Sequence, residues 1–151
     1  MNNPSPTTMR QPSILAWLHL MRIHQQVQKH ETAQLAAHNL TLPQFDVLVQ
    51  LWKEEGITQQ ALADRLFVTK GNVCGLMDRM MEQGLVERRA DPDDGRAYML
   101  HLTPKGKRLI ENVLPAHNHL IASQMAKLEP EKQKQLLALL GEWDRALQVT
   151  N

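Results

Sequence analysis

A cation, an amide and several small residues are grouped in the segment TKGNVCGLMDR, residues 69–79. Asparagine presents a paired donor and acceptor that suit a base edge, lysine suits phosphate, and glycine lets a backbone approach a duplex closely. The pattern predicts a helix whose first turns lie in the major groove of DNA. A solvated polar helix face is the alternative interpretation. The predicted contacts in this segment are Thr69, Lys70, Gly71, Asn72, Gly75 and Arg79.

Three arginines follow this helix and predict a second contact with DNA. Arg96 comes directly after the turn-rich DPDDG, where a long cationic side chain suits a narrow minor groove. A surface salt bridge to Asp94 or Asp78 is the alternative. Arg88 and Arg89 suit phosphate, and only one of them can face DNA because neighbours on a strand point to opposite faces.

The elements that must position these side chains occupy residues 56–103, which read as short strand, helix, turn, helix, strand, loop and strand. Thr58 is placed to cap the first helix and Thr69 the second, while Gly84 suits the end of the second. LVERRA and AYMLHLT are rich in β-formers and predict a hairpin. The order predicts a winged helix-turn-helix core in a mainly α chain with a small β-hairpin wing.

Bulk charge gives the DNA-binding interpretation no support. The whole chain has a formal net charge of +1, and residues 57–103 hold six basic against seven acidic side chains. DNA binding therefore requires that Lys70, Arg88, Arg89 and Arg96 form a basic edge while the acidic residues face elsewhere. The competing hypothesis is a winged helix that binds proteins and not DNA.

The run VTKGNVCGLMDRMMEQGLVERRADPDDGRAYMLHLTPKG resembles the MarR family of bacterial transcription regulators. It is similar in its helix, its GLVER strand, its D-P-x-D-x-R wing and its LT-x-x-G entry into the next helix, in that order over about 50 residues. The resemblance implies a homodimer that binds a pseudo-palindromic operator, most often a repressor released by a small anionic or aromatic effector. Phe67 stands where helix-turn-helix proteins commonly have glycine, so we expect a turn that avoids a positive φ.

The flanking sequence predicts long helices on either side of the DNA-binding segment. Residues 1–12 are rich in Pro, Ser, Thr and Asn and predict a mobile tail before a single domain over 13–151. Apolar stripes over 13–38 and 103–148 predict helices with more hydrophobic face than one core of residues 41–103 can cover, and therefore dimerisation. Asn39 suits a helix end and Thr41 begins a capping box. Pro115 predicts a kink or a local break near Asn112.

Other candidate sites have competing interpretations. Cys74 is the single cysteine, and we expect a packing residue rather than a redox sensor because the chain offers no resolving thiol. The seven histidines lack metal-ligand spacing, so we expect solvated side chains and no metal site. An effector site is predicted where an aromatic wall and a cation come together, although core packing explains the tryptophan equally well. Its candidate residues are Trp17, His19, Met21 and Arg22.

The sequence also limits the class of protein. No run of 18 apolar residues and no signal peptide is present, which excludes a membrane span and favours the cytoplasm, so we expect no membrane partner. No nucleophile stands in a recognisable arrangement with a base, so neither an enzyme nor a cofactor is expected. The residues together predict a DNA-binding regulator.

Overall fold

The computed structural model describes residues 11–149, which fall into two compact units, one ending at His117 and the other beginning at Asn118. The predicted mainly α fold with one antiparallel hairpin is confirmed. Residues 1–10 of the predicted tail lie outside the described residues. The elements are α1 Pro12–Ala36, α2 Leu42–Lys53, α3 Gln59–Leu66, α4 Lys70–Glu82, β1 Val86–Ala90, β2 Tyr98–Leu102, α5 Pro104–Met125 and α6 Pro130–Val149.

Local capping signals set most helix boundaries. Thr41 and Gln44 form the predicted capping box at the start of α2. Thr58 accepts a hydrogen bond from the Ala61 backbone N–H at the start of α3. Asn39, just after α1, adopts a φ of 56°, as its predicted role at a helix end requires.

The turn between α3 and α4 corrects one expectation. Phe67 has a φ of 55° and a ψ of 39°, so the prediction that this turn avoids a positive φ is wrong. The backbone N–H of Phe67 bonds to Asp64 O, and that of Val68 bonds to Ala63 O at 3.1 Å. These bonds close the end of α3 and require a left-handed residue before the next helix begins, whatever its side chain.

The wing is a two-stranded hairpin, and one residue outside it also pairs with the backbone of β2. Val86 pairs with Leu102 at its base and Ala90 with Tyr98 near its tip. Ile57 forms a single bridge to Leu100, which is where the sequence predicted a short strand. The hairpin is thereby fastened to the segment that leads into α3.

The first unit has a continuous hydrophobic core. Helices α1 to α5 and both strands all contribute buried side chains to it. Helix α5 contributes Ile110 and Val113. The largest are Leu35, Leu48, Leu51, Leu62, Met77, Met80 and Leu100.

Helix α5 continues through Pro115, so the predicted local break near Asn112 does not occur. A proline leaves the carbonyl four residues earlier, here that of Glu111, without its N–H partner. Glu111 and Pro115 are both exposed, so water can bind that carbonyl and the helix is not forced to end.

The helices at the two ends keep apolar side chains on their surfaces. No residue from 118 to 149 is buried, and α6 exposes Leu137, Leu139 and Leu147. In the first unit, the start of α1 exposes Ile14 and Leu18. Within residues 11–149, no helix combines the length and hydropathy needed to cross a membrane.

Candidate DNA interface

Helix α4 separates a buried face from a polar one at its first turns. Val73, Met77 and Met80 face the core, while Lys70 and Asn72 are exposed. The hydroxyl of Thr69 accepts the Asn72 backbone N–H at 3.2 Å, as predicted for a capping residue. The predicted reading side of the helix is therefore open to a partner along its first turns.

Two cavities flank this helix. One, of about 490 Å³, lies between α2 and α4 and is lined by Asp46, Val68, Asn72, Gly75 and Arg79 among others. The other, of about 390 Å³, lies on the wing side of the same helix. Its lining includes Gln59, Lys70, Cys74, Arg96 and Tyr98.

The wing-side cavity brings together two residues that are distant in sequence. Arg96 at the hairpin tip and Lys70 at the start of α4 line the same surface. The Asp94 carboxylate accepts the Arg96 backbone N–H at 3.0 Å, and Asp78 is paired with Arg88 instead. Among the described residues, the Arg96 guanidinium thus forms neither of the two salt bridges that were its alternative role.

Arg88 connects three elements. Its Nε donates to Gln59 Oε1 at 2.9 Å and its Nη2 donates to Asp78 Oδ1 at 3.0 Å. These bonds join β1 to α3 and α4, so its guanidinium holds the wing against the helix. The predicted phosphate contact competes with both bonds.

Arg89 donates to Glu87, its neighbour two residues along the same strand, and remains exposed. Of the four cations predicted to form a basic edge, only Lys70 and Arg96 therefore remain without an acidic partner among the described residues. Across residues 11–149, Lys70, Arg79 and Arg96 are the site cations that form no ion pair, whereas both strand arginines are paired with acids.

Sequence reasoning missed the residues that hold the C-terminal end of α4. The buried Gln44 donates from Nε2 to Gln83 Oε1 at 3.0 Å, in addition to its role in the capping box. Thr103 donates its hydroxyl to Gly84 O at 2.6 Å, and Lys105 Nζ donates to Gln83 O at 2.7 Å. The only available sequence signal was the LT-x-x-G motif, which contains Thr103.

Cys74 and the proposed effector residues occupy different surroundings. Cys74 is half-buried, and Gln59 Nε2 donates to its sulfur at 3.2 Å. Trp17, His19 and Arg22 lie on exposed parts of α1, and Met21 is half-buried. None of these four α1 residues lines either cavity beside α4.

His117 is a correction to the expectation of solvated histidines. It is largely buried, its Nε2 lies 2.8 Å from Glu31 Oε1, and its ring lies 4.4 Å from that of Phe45. Burial raises the pKa of nearby Asp46, with a further increase from the negative charge of Glu31 and an opposing decrease from His117. Over residues 11–149, no three His, Cys, Asp or Glu side chains are grouped to hold a metal.

Comparison with known proteins gives a consistent result. The sequence profile of the MarR family matches residues 38–97. The uncharacterized HTH-type transcriptional regulator YkoM of Bacillus subtilis is 31% identical, over 79% of this chain and 77% of its own length. The HTH-type transcriptional repressor YetL of the same organism is 31% identical, over 76% of this chain and 70% of its own. The crystal structure of wild-type MarR from E. coli in its apo form superposes with a TM-score of 0.72 at 25% identity, covering 82% of this chain and 92% of that one.

Proposed function

Because the chain belongs to the MarR family of transcription regulators, we propose that it binds double-stranded DNA with α4 and the wing of each subunit of a homodimer. The observation that carries this proposal is the pair of glycines on α4. A Cβ built on Gly71 would approach nothing closer than 4.0 Å, and one on Gly75 nothing closer than 3.9 Å. Glycine in a helix interior, as at Gly75, costs about 1 kcal/mol relative to alanine, and no contact within the subunit requires glycine at either position. An external surface that comes close to the helix backbone accounts for both glycines.

The first turns of α4 supply the contacts in the major groove. Thr69, Lys70 and Asn72 present a hydroxyl, an ammonium and an amide on the exposed side of the helix. Arg79 lies two turns further along and suits phosphate. Of these side chains, Asn72 can read a base through two hydrogen bonds, so sequence preference is assigned mainly to it.

The wing supplies a contact of a different kind. Arg96, which is free of ion pairs within the described chain, enters the minor groove or contacts phosphate beside it. Arg89 reaches phosphate when it leaves Glu87. Arg88 acts mainly by holding the wing on α3 and α4 through Gln59 and Asp78.

Dimerisation is assigned to the helices of residues 13–38 and 103–148, with the winged helix of 41–103 as the DNA-binding part of one domain over 13–151. The support is the apolar surface that these helices expose, including Leu18 of α1 and Leu139 of α6. A twofold dimer presents two copies of α4, so its operator is a near-palindrome with half-sites about 10 bp apart.

Regulation is assigned to a small anionic or aromatic effector that releases a repressor from DNA by changing the spacing of the two α4 helices. Trp17, His19, Met21 and Arg22 remain the candidate contacts on α1. Such a protein works in the cytoplasm and acts by binding, without a catalytic step or a cofactor.

The decisive experiment is Gly75→Glu in the full-length chain, tested by mobility shift on duplexes selected from random DNA. The new side chain places bulk and negative charge where the helix approaches the duplex, so we expect binding to be abolished while the variant unfolds at the wild-type temperature or higher. Gly75→Ala is the matched control and should lose far less affinity. A folded Gly75→Glu dimer with normal DNA binding would show that α4 does not approach DNA, whereas a folded wild-type dimer that binds no duplex would support the protein-interaction module.

Two further variants separate the helix from the wing. Asn72→Ala should change which bases are preferred in each half-site, at a cost of about 1–3 kcal/mol. Arg96→Ala should weaken binding to every sequence and reduce the salt slope by about one. Equal effects of the two variants on base preference would contradict the assigned roles.

A further inference from the structure

Phe67 combines an exposed aromatic ring, which the fold does not explain, with a left-handed backbone that disfavours such a side chain. The residue is 93% exposed, the highest value among the large exposed hydrophobic residues from 11 to 149. Its backbone adopts the left-handed conformation, which is strained for an aromatic residue and costs glycine little. Both features oppose stability at the same position.

The backbone of Phe67 has a structural role, but its ring does not share in it. The residue ends α3 through its N–H, and the bond from Val68 N–H to Ala63 O closes the turn. Glycine or asparagine would make the same backbone bonds with less strain. A partner outside the subunit is therefore the simplest explanation for the ring.

The position of the ring indicates which kind of molecule it contacts. Phe67 precedes the capping residue Thr69 by two residues, and its neighbour Val68 is 42% exposed and lines the cavity that contains Asn72 and Gly75. A duplex that receives the first turn of α4 must also come close to the turn before it. An apolar ring at that edge suits the apolar groups of DNA and adds no charge.

We propose that Phe67 is a DNA-contacting residue whose ring packs against an apolar group at the edge of the major groove, either a thymine methyl or a deoxyribose. This contact rests on the DNA-binding function proposed above. It adds recognition by shape and apolar contact to a site whose other assigned contacts are polar or cationic. It also explains why the turn holds a strained aromatic residue.

The test compares wild type, Phe67→Gly and Phe67→Asn, all as full-length protein, in thermal unfolding and in DNA titration over a salt series. Both substitutions suit a positive φ, so the variants should unfold at the same temperature as wild type or higher. Affinity should fall about tenfold in both, as removal of a packed ring predicts. The salt slope should not change because no charge is removed.

A second arm identifies the apolar group by replacing the thymines of the bound site with uracil, one at a time. A methyl contact predicts that one replacement weakens wild type about fourfold and leaves Phe67→Gly unaffected. A deoxyribose contact predicts that no replacement has an effect and that the variants lose affinity equally on all sequences. Either pattern supports the ring contact.

Two results would overturn the proposal in distinguishable ways. If wild type and both variants bind DNA with the same affinity, Phe67 does not touch the duplex and the DNA-binding function stands. If wild type binds no selected duplex while its dimer is folded, the proposed function fails and the Phe67 contact fails with it.

Discussion

The two units of this protein use similar amphipathic helices with opposite results. In the first unit, the apolar faces of α2, α3 and α4 meet in a closed core in which Leu62 is fully buried. In the second, no residue from 118 to 149 is buried and Leu139 of α6 is 65% exposed. The difference shows that an apolar stripe on a helix predicts burial, but does not predict whether the helix is buried within its own chain or against a second one. For α6, a second copy of the chain is the partner that we propose.

The largest effect is expected from a matched pair of leucine substitutions that tests this difference directly. Leu62→Ala removes a side chain from the closed core and should lower the free energy of unfolding by about 2–5 kcal/mol at every protein concentration. Leu139→Ala should destabilise less, and its effect should depend on protein concentration because, in the dimer that we propose, Leu139 contacts the second chain. Chemical denaturation over a hundredfold range of concentration measures both.

Sedimentation provides the control for this pair. The Leu139→Ala protein should dissociate at a higher concentration than wild type, whereas Leu62→Ala should shift dissociation only as far as it unfolds the chain. A wild-type chain that sediments as a stable monomer would contradict the comparison between the two units.

A pair of glycine substitutions should give smaller effects of opposite sign. A Cβ on Gly106 would lie 2.0 Å from the backbone oxygen of Leu85, so Gly106→Ala should destabilise by about 1–3 kcal/mol. A Cβ on Gly141 would meet only the flexible end of Arg145 at 3.4 Å, so Gly141→Ala should stabilise α6 by about 0.5–1 kcal/mol. Thermal unfolding of the two variants beside wild type measures the signs. Destabilisation by both variants would show that α6 is tightly packed at Gly141, and stabilisation by both would show that Gly106 is not crowded.

The smallest effect concerns pH and belongs to the first unit. Burial raises the pKa of Asp46 above its ordinary 3.8, so the folded state prefers the protonated carboxyl. The stability that this preference gives is complete below pH 3.8 and is lost as pH rises through the raised pKa. Asp46→Asn should therefore gain stability relative to wild type across that interval and hold the gain up to neutral pH. The gain should be modest because the desolvation of the carboxyl is only partial and the residue as a whole remains exposed to water.

Melting temperatures of wild type and Asp46→Asn test this linkage when they are measured at about pH 3.5, below the ordinary pKa, and at about pH 7, well above it. Glu82→Gln is a suitable control because its residue is exposed and lies outside this cluster. A difference that shrinks as pH rises would contradict the raised pKa.

The sequence by itself determined the elements of this protein because their signals are local. Thr41, Thr58 and Thr69 each begin a helix by binding a backbone N–H three residues later, and Gly84 ends one with a positive φ. The hairpin followed from strand-forming residues around a turn. A fixed order of such elements was enough to indicate the family.

Only the tertiary structure decided which side chains are available for binding. Arg88 is hydrogen-bonded to Gln59, which lies 29 residues away in sequence. His117 is hydrogen-bonded to Glu31, which lies 86 residues away. No local pattern encodes those pairs, because they depend on how α1, α3 and β1 pack. Phe67 shows the same limit in the backbone, since closure of α3 imposed a left-handed residue that its side chain disfavours. Residue types and spacing specify the elements, whereas the partners of each charge and the strain at each turn arise only when those elements share one core.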